Sequence, residues 1–474
     1  MNQTAIPLNE GADIRLEMLA VLRRQQAAFV SEGPVSVQTR IERLQRVIDA
    51  IMKYKDRLYK TMSSDFGHRS INQSSMTDIS ASLRSLKDAQ KNLGKWMKQE
   101  KRKPMFPLGF LGAKARVEYQ PLGVVGCIAP WNFPMQLALQ PLAGILAAGN
   151  RAMIKLSEHT PQTSQLMQKM FAEAFSPDEI AVFTGGVEVA QAFSSLPFDH
   201  LVFTGAHSVA KHVMQAAAQN LVPVTLELGG KSPVVLGQST DIRDAAAKVM
   251  WGKTMNAGQI CLSPDYIFVP EAQQTAFVDA AKQAIATMYP NLRDNPDYTS
   301  IINEGHFNRL QGYLMDAREK GAEIIELNPA GEDFNGQEFY RIAPTLILNP
   351  TEEMAVMREE IFGPLMPVKT YNSLDEVLAY INGHDTPLAL YYFGQDKAEE
   401  QRLLGHTRSG GVTVNDVMLH AAQDDLPFGG VGASGQGAYR GQDGFKRFSH
   451  ARAVFSQSKQ VSKLAAKMRP PYKK

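Results

Sequence analysis

The sequence predicts an α/β protein whose first large domain contains a doubly wound parallel sheet with helices on both faces. Four short apolar runs support this prediction, each followed by a helical pattern: residues 123–129, 151–156, 179–186 and 200–205. Such runs are typical of parallel strands buried on both faces, and their alternation with helices is typical of nucleotide-binding domains. Helical patterns at 271–288 and 304–320, with a strand near 344–348, indicate a second α/β domain.

Length and composition restrict the class of protein. A chain of 474 residues predicts two or three domains, and 44% hydrophobic with 21% charged residues is ordinary for a globular protein. A net charge of +2 favours neither nucleic acid nor an acidic surface as a partner. The start lacks a secretory pattern and no apolar run reaches about 18 residues, so a cytoplasmic protein without a membrane span is expected. The two cysteines, Cys127 and Cys261, fit neither a disulfide framework nor a metal site.

The segments before the first strand are predicted to be helical. Apolar residues at helical spacing over 36–60 predict an amphipathic helix, and a second helical region extends to about residue 99. The charged run 98–104 ends at a proline and is interpreted as a solvated connector. Further along, Thr160 is expected to be the N-cap of a helix that begins at Pro161.

The stretch 226–263 carries the most distinctive chemistry of the chain. Glu227 lies between two leucines, Gly229 and Gly230 follow it, and Cys261 comes later in the sequence NAGQIC. A thiol needs a base or a lowered pKa to act as a nucleophile, and glycines let other groups approach the backbone closely. The alternative is that Cys261 is a small buried hydrophobic residue and Glu227 an ordinary half-exposed carboxylate.

Polar residues also follow the predicted strands of the first domain. The G-x-G-x-x-G fingerprint does not follow the first strand, but Thr204 and Gly205 lie between a strand and a helix whose N-terminal amides could hold a pyrophosphate. Lys155 and Glu158 follow another strand, where a surface ion pair is the alternative to a nucleotide site.

Two further motifs allow both a structural and a functional interpretation. Asn132 in PWNFP is either a turn residue or an amide donor, and Phe362 in EEIFGP is either a core residue or part of a ligand site. The glycine-rich segment 426–450 is either a phosphate loop or a linker.

Taken together, these motifs resemble those of the NAD(P)-dependent aldehyde dehydrogenase superfamily, and they span most of the chain. The motifs, in order, are PWNFP, IKLSEHTP, FTG, LELGGKSP with NAGQIC, EEIFGP, GGVTVND and LPFGGVG. PVTLELGGKSP, GGVTVNDV and LPFGGVG are most similar to the class 3-like branch, and within it to the bacterial enzymes that oxidise coniferyl aldehyde.

The resemblance implies the aldehyde dehydrogenase fold and its organisation. It implies a Rossmann-like NAD-binding domain over 1–226 with a strand excursion near 100–120, a catalytic domain over 227–417, and a return segment with a small β oligomerisation arm over 418–474. NAD is the expected cofactor, with NADP also compatible, and the assembly is expected to be a homodimer or a dimer of dimers. The basic tail 463–474 carries no long apolar anchor.

The resemblance also implies the catalytic roles. Cys261 attacks the aldehyde to form a thiohemiacetal and then a thioester, and Glu227 is the general base for hydrolysis. The side-chain amide of Asn132 and the backbone N–H of Cys261 stabilise the oxyanion. The presence of Glu227 argues against the CoA-acylating relatives, which release the thioester to a thiol.

Cofactor contacts are implied in the same way. The resemblance assigns Lys155 and Glu158 to the adenosine ribose, and the carboxylate of Glu158 favours NAD because it repels a ribose 2′-phosphate. Ala206 stands where the family commonly has a polar side chain, so backbone contacts are expected to carry more of the phosphate binding. The remaining expected contacts lie at the phosphates and the nicotinamide end: Thr204, Gly205, Gly229, Glu360 and Phe362.

Apolar residues beside these groups are expected to line a substrate tunnel, with plain core packing as the alternative. They are Phe133, Ile260, Leu262, Leu419 and Phe428. A tunnel indicates an aromatic aldehyde such as coniferyl aldehyde, or a medium-chain aliphatic one, whereas a semialdehyde would indicate another member of the superfamily. From a different class, a cysteine hydrolase would lack NAD binding, and a non-catalytic binding protein would have lost Cys261, Glu227 or Asn132.

Overall fold

The computed structural model describes residues 10–466 and 469–470, so part of the basic tail at 463–474 lies outside the described residues. Within this part of the chain, strands form one six-stranded, one seven-stranded and one three-stranded sheet. Most strands of the two larger sheets are parallel, and the order of elements confirms the predicted α/β fold.

The chain begins with helices that pack beside the six-stranded sheet, followed by two strands of the small sheet. A π-helical turn, Ser75–Ser80, connects the third and fourth helices. The elements are α1 (Glu10–Glu32), α2 (Val37–Asp65), α3 (Ile71–Ser74), α4 (Ala81–Trp96), β1 (Glu100–Arg102) and β2 (Lys114–Pro121). The interpretation of 98–104 as a connector is wrong for the residues of β1, which pair antiparallel with β2. The side chains of β1 are charged and mostly exposed, so the sequence shows no alternation of apolar residues from which a strand could be predicted.

The six-stranded sheet has the order β15-β7-β6-β3-β4-β5, and only β15 is antiparallel to its neighbour. Its strands are short and largely buried, as parallel strands between two helical layers must be. The elements are β3 (Val124–Ile128), α5 (Gln136–Ala148), β4 (Arg151–Lys155), α6 (Pro161–Ala174), β5 (Ile180–Phe183), α7 (Val187–Ser194), β6 (His200–Thr204), α8 (His207–Ala218) and β7 (Val224–Glu227).

Thr160 precedes α6 as predicted, but its side chain makes no capping hydrogen bond. The carboxylate of Asp65, at the end of α2, instead accepts from the amides of Gln162 and Thr163 at 3.0 and 2.8 Å. Thr160 is therefore the N-cap residue by position, as predicted, but the carboxylate of a residue distant in sequence satisfies these amides in place of its hydroxyl.

The seven-stranded sheet has the order β10-β11-β12-β9-β8-β13-β14, and only β10 is antiparallel to its neighbour. Its elements are β8 (Pro233–Leu236), α9 (Ile242–Thr254), β9 (Tyr266–Pro270), α10 (Gln274–Met288), α11 (Glu304–Glu319), β10 (Glu323–Glu326), β11 (Thr345–Leu348), α12 (Ala355–Arg358), β12 (Leu365–Tyr371), α13 (Leu374–Asn382), β13 (Ala389–Phe393), α14 (Lys397–His406) and β14 (Gly411–Val414).

The last part of the chain returns to the two sheets formed earlier. Its elements are β15 (Gly435–Gln436), α15 (Gly441–Arg447), β16 (Ser449–Ser456) and α16 (Lys459–Ala466). β15 pairs with β7, and β16 pairs antiparallel with β2 from Ser449↔Pro121 to Ser456↔Lys114. None of the helices described combines the length and apolar character that crossing a membrane requires.

Candidate active site

Cys261 follows a tight turn at the end of α9. Asn256 and Ala257 adopt left-handed φ values of 49° and 50°, although neither is glycine. Gly258 is required next, because a Cβ there would lie 2.3 Å from the carbonyl oxygen of Gly363. The thiol of Cys261 lies beside its own backbone N–H, and burial raises its pKa to about 12.

Asn132 is attached to the same turn. Its Nδ2 donates to the carbonyl of Gln259 at 3.2 Å, and its own carbonyl accepts from Asn256 Nδ2 at 3.2 Å. An amide nitrogen carries two N–H groups, so one remains for a second acceptor. The buried Asn132 is thus fixed to the turn that presents Cys261.

A buried ion pair between Arg69 and Asp78 holds the backbone of Asn132 in place. Arg69 donates to the carbonyl of Asn132 at 3.0 Å and to the carboxylate of Asp78 at 2.7 Å. Asp78 lies in the π-helical turn, and it also accepts from the amides of Met135 and Gln136 where α5 begins. This pair could not be predicted from the sequence, because charged residues in a polar segment give no sign that they will be buried.

Glu227 is the last residue of β7, and its side chain lies inside the protein. Neither carboxylate oxygen has a hydrogen-bond partner within the described part of the chain. Burial raises the pKa of Glu227 well above its usual range, and the positive charges of Arg440 and Arg447 act in the opposite direction. A carboxylate in this state is a stronger base than an exposed one.

One cavity of about 600 Å³ brings most of the predicted site residues together. All three predicted catalytic residues line it, with five of the predicted cofactor contacts. They are Asn132, Glu227 and Cys261, with Thr204, Gly205, Gly229, Glu360 and Phe362.

Where β6 leads into α8, one polar group in the cavity wall has no hydrogen-bond partner among the described residues and the next one has a partner. The hydroxyl of Thr204 is buried without a hydrogen-bond partner among the described residues. The amide of Gly205, by contrast, donates to the carbonyl of Glu227 at 3.1 Å, so it is already used within the protein. Ala206, His207 and Ser208, at the start of α8, also line the cavity.

Glu360 lines the same cavity, next to Gly229. A Cβ at position 229 would lie 2.3 Å from its carboxylate oxygens, so Gly229 is required for this close approach. Burial, followed by the charge of Asp265, raises the pKa of Glu360 to about 8. Asp265 accepts from the amide of Ile361 at 2.9 Å and pairs with Lys231, which fixes the Glu360 loop.

Lys155 and Glu158 form an ion pair of 2.7 Å at the end of β4. Neither lines the 600 Å³ cavity, although both are described residues. They belong to the same sheet as Thr204 and lie two strands away from it, at the edge formed by the carboxyl ends of the strands. Open α/β sheets bind their ligands at this edge.

The structure adds residues that the sequence analysis missed. The Trp131 ring lies 5.0 Å from that of His306 and 5.4 Å from that of Phe362, measured between centroids. His306, Arg309 and Tyr313 line the cavity from α11, and burial lowers the pKa of His306 to about 4. The helix was predicted, but no motif indicated which of its faces meets the cavity.

The five expected tunnel residues do not line this cavity, although all of them are described. Phe133, Ile260, Leu262 and Phe428 are buried in the core cluster against which Cys261 packs, whereas Leu419 is 41% exposed. Their role as a tunnel stays a prediction. Among the described residues, no group of three histidine, cysteine or carboxylate side chains is arranged to hold a metal ion.

A model of the aldehyde dehydrogenase family matches residues 15–454, which is most of the chain. The chain belongs to the aldehyde dehydrogenase family. Members of this family oxidise aldehydes to acids with NAD or NADP, so the chain is an oxidoreductase that acts on aldehydes. Its α/β architecture is the aldehyde dehydrogenase fold, as the resemblance implied.

Individual relatives agree with the family model. A Caulobacter vibrioides protein named "Probable coniferyl aldehyde dehydrogenase" is 56% identical, with 98% of this chain and 96% of that protein covered. A Pseudomonas protein named "Coniferyl aldehyde dehydrogenase" is 52% identical, with 98% and 95% covered. A solved structure of Staphylococcus aureus AldH in a substrate-bound state has a TM-score of 0.88 at 35% identity, covering 96% of this chain and 99% of that one.

Proposed function

We propose that this aldehyde dehydrogenase oxidises aromatic aldehydes of the coniferyl type, with Cys261 as nucleophile, Glu227 as general base and Asn132 as oxyanion donor. The observation that carries the proposal is that these three residues line a single cavity. The names of two relatives that are more than half identical over nearly the whole chain support the substrate class.

The residues present suggest a sequence of steps. Cys261, deprotonated to the thiolate, forms a bond from Sγ to the carbonyl carbon of the aldehyde. The π electron pair of the carbonyl moves to the oxygen, which takes up negative charge beside Asn132 Nδ2 and the Cys261 amide. Once hydride has left this carbon, a thioester remains on Cys261. Glu227 then removes a proton from the water that hydrolyses the thioester, and its raised pKa suits this role.

The cavity suits the nicotinamide cofactor that the family uses. Bound NAD or NADP supplies the hydride acceptor. Thr204 and Glu360 offer buried oxygens without partners in the described chain, and Gly229 leaves space beside Glu360. We assign the nicotinamide end to Glu360 and Phe362, the phosphates to Thr204 and the start of α8, and the adenosine ribose to Lys155 and Glu158. Because the Gly205 amide is already bonded to Glu227, the phosphates would depend on later amides of the turn.

We propose that the two large domains are organised around the two larger sheets. The proposed boundary at 226/227 falls inside β7, so Glu227 belongs to the six-stranded sheet and Cys261 follows the first helix of the next. The three-stranded sheet of β1, β2 and β16 is the proposed oligomerisation arm, and a homodimer or dimer of dimers in the cytoplasm remains our expectation.

NAD(P)H formation tests the substrate and the cofactor. Coniferyl aldehyde, benzaldehyde, hexanal and succinic semialdehyde are each offered with NAD and with NADP, and coniferyl aldehyde is expected to give the highest kcat/KM. A preference for succinic semialdehyde would contradict the aromatic substrate and the tunnel of Phe133 and Phe428. A failure of NAD(P)H to form with any aldehyde would contradict the proposed function.

Variants test the roles of the three residues. Cys261→Ala is expected to abolish turnover, whereas Cys127→Ala serves as the matched control because Cys127 is buried in β3. Asn132→Ala is expected to lower kcat about 10²–10³-fold, as the loss of one oxyanion donor does. Glu227→Gln is expected to release one equivalent of NAD(P)H in a burst and then stall as the acyl-enzyme; steady turnover by this variant would remove Glu227 from the mechanism.

A further inference from the structure

Arg440 has an unusual backbone for an arginine. Its φ is +120° and its ψ is 150°, in a region that residues with a side chain rarely adopt. Such a conformation persists only where the surroundings impose it. Arg440 is also buried, with 8% of its surface exposed, and lies immediately before α15.

The guanidinium of Arg440 has few direct partners. Nη2 donates to Gln140 Oε1 at 2.9 Å, and the guanidinium carbon lies 4.2 Å from the centre of the Phe428 ring. Nε has no hydrogen-bond partner in the described chain, and no carboxylate of that chain lies within 4.0 Å. A buried cation without a paired anion is costly, so its retention needs an explanation.

These contacts connect the two sides of the catalytic site. Gln140 lies on α5, the helix that begins just after Asn132. Phe428 forms a β-bridge with Tyr439, next to Arg440, in the segment whose Gly435 pairs with Glu227. Arg440 therefore joins the element behind Asn132 to the element beside Glu227.

The ionisable groups around Arg440 come from several elements. Tyr439, Glu227, Asp424 and Cys261 all interact with its charge. His420 faces it as well, and burial together with the charge of Arg440 lowers the pKa of His420 to about 4, so this histidine stays neutral. Arg447 also acts on Glu227, and Glu360 acts on Cys261 with a charge of the opposite sign. Arg440 is the cation that acts on both Cys261 and Glu227.

We propose that Arg440 is a positioning residue that fixes the return segment, which pairs with Glu227, against α5, and that it places a buried positive charge in the catalytic site. The proposal rests on the roles of these two residues in the proposed function. Burial raises the pKa of both groups, and Glu360 and Glu227 raise that of Cys261 further, whereas the charge of Arg440 lowers the pKa of both. Without this charge both groups would ionise only at higher pH.

The test measures the rate at which iodoacetamide alkylates Cys261 as a function of pH, together with the pH profile of kcat. Arg440→Gln is expected to move both midpoints to higher pH, so that alkylation below the midpoint slows about tenfold, the equivalent of one pKa unit. Arg440→Lys keeps the charge and is expected to recover most of the rate. Arg402→Gln, on the exposed helix α14, removes the same charge far from the site and is expected to change neither midpoint.

A second variant covers the case in which Arg440→Gln does not fold. Gln140→Glu places a carboxylate on the group that Arg440 already contacts, so it pairs with the guanidinium and cancels its field while preserving the contact. It is expected to raise both midpoints, because the new carboxylate neutralises the charge of the guanidinium.

The outcomes separate this inference from the proposed function. A folded Gln140→Glu or Arg440→Gln protein with unchanged midpoints would overturn the role of Arg440, even if aldehyde oxidation proceeds normally. Alkylation needs no substrate, so the role of Arg440 can be measured even if no aldehyde is oxidised and the proposed function fails.

Discussion

Arg69 and Asp78 form an ion pair inside the protein, with Nη2 of the arginine 2.7 Å from Oδ2 of the aspartate and neither side chain exposed. The arginine also donates to the carbonyl of Asn132, and the aspartate accepts from the amides that begin α5. The pair therefore fixes the position of Asn132, the proposed oxyanion donor.

Breaking this pair on one side should destabilise the protein strongly. Asp78→Asn leaves the Arg69 cation without its anion, and we expect unfolding in urea to show a loss of about 3–5 kcal/mol. Activity should fall further than the loss of folded protein explains, because Asn132 loses its support. The double variant Arg69→Met with Asp78→Leu should recover much of the stability; a single variant as stable as the wild type would contradict the prediction.

Glu227 should reduce stability at neutral and alkaline pH. Its folded pKa is raised above that of an unfolded glutamate, so the unfolded chain releases the proton first and the folded state loses stability as pH rises between the two values. We therefore expect Glu227→Gln to raise Tm near pH 8 and to leave it unchanged near pH 4, since both forms are neutral there. Thermal unfolding at the two pH values checks this, and an equal change at both would argue against a raised pKa.

Lys253 is a second buried ionisable residue, and its charged form is positive, whereas that of Glu227 is negative. It is buried in α9 with no partner for Nζ in the described chain, and burial lowers its pKa to about 7. Below the pKa of an unfolded lysine, the unfolded chain binds a proton at Lys253, whereas the folded protein binds it only near pH 7. The free energy of unfolding therefore decreases as the pH falls from the unfolded pKa to about 7, by on the order of 4 kcal/mol. Lys253→Met should recover part of this loss at pH 7, as urea unfolding would show.

Lys248→Met on the same helix is the matched control. Lys248 is partly exposed and pairs with Asp244, so its replacement should change the free energy of unfolding by about 0.5 kcal/mol or less. A similar effect of the two substitutions would show that the burial of Lys253 is not the cause.

The cofactor preference should depend on Glu158. Glu158→Gln removes the negative charge that would repel a ribose 2′-phosphate and leaves Lys155 in place. We expect the ratio of kcat/KM with NADP to that with NAD to rise about tenfold, or ~1.4 kcal/mol. Glu173→Gln, on the exposed side of α6, is the control; an unchanged ratio in Glu158→Gln would place the ribose elsewhere.

The sequence could predict the parts of the molecule that carry local signals. The apolar runs of β3, β4 and β6 predict parallel strands, and the motifs around Glu227 and Cys261 predict two groups that line one cavity. In both cases the prediction depends only on the type of each residue and on the residues next to it in the sequence.

Features that depend on distant residues could not be predicted in this way. Asp78 is buried only because Arg69 and the start of α5 surround it, and the left-handed turn at Asn256 depends on contacts with Gln73 and Asn132. Arg440 follows a glycine-rich segment, yet its own φ of +120° is imposed by packing and carries no sequence signal.

The pairing of β15 with β7 and of β16 with β2 has a consequence for synthesis on the ribosome. A nascent chain that ends before Gly435 already contains Asn132, Glu227 and Cys261, but it lacks the strand beside Glu227. Until β15 and β16 emerge, the edges of β2 and β7 that they cover remain unpaired and available to other chains. Activity therefore has to await the synthesis of these two strands, and a chain cut before Gly435 is expected to aggregate rather than to form a partly active enzyme.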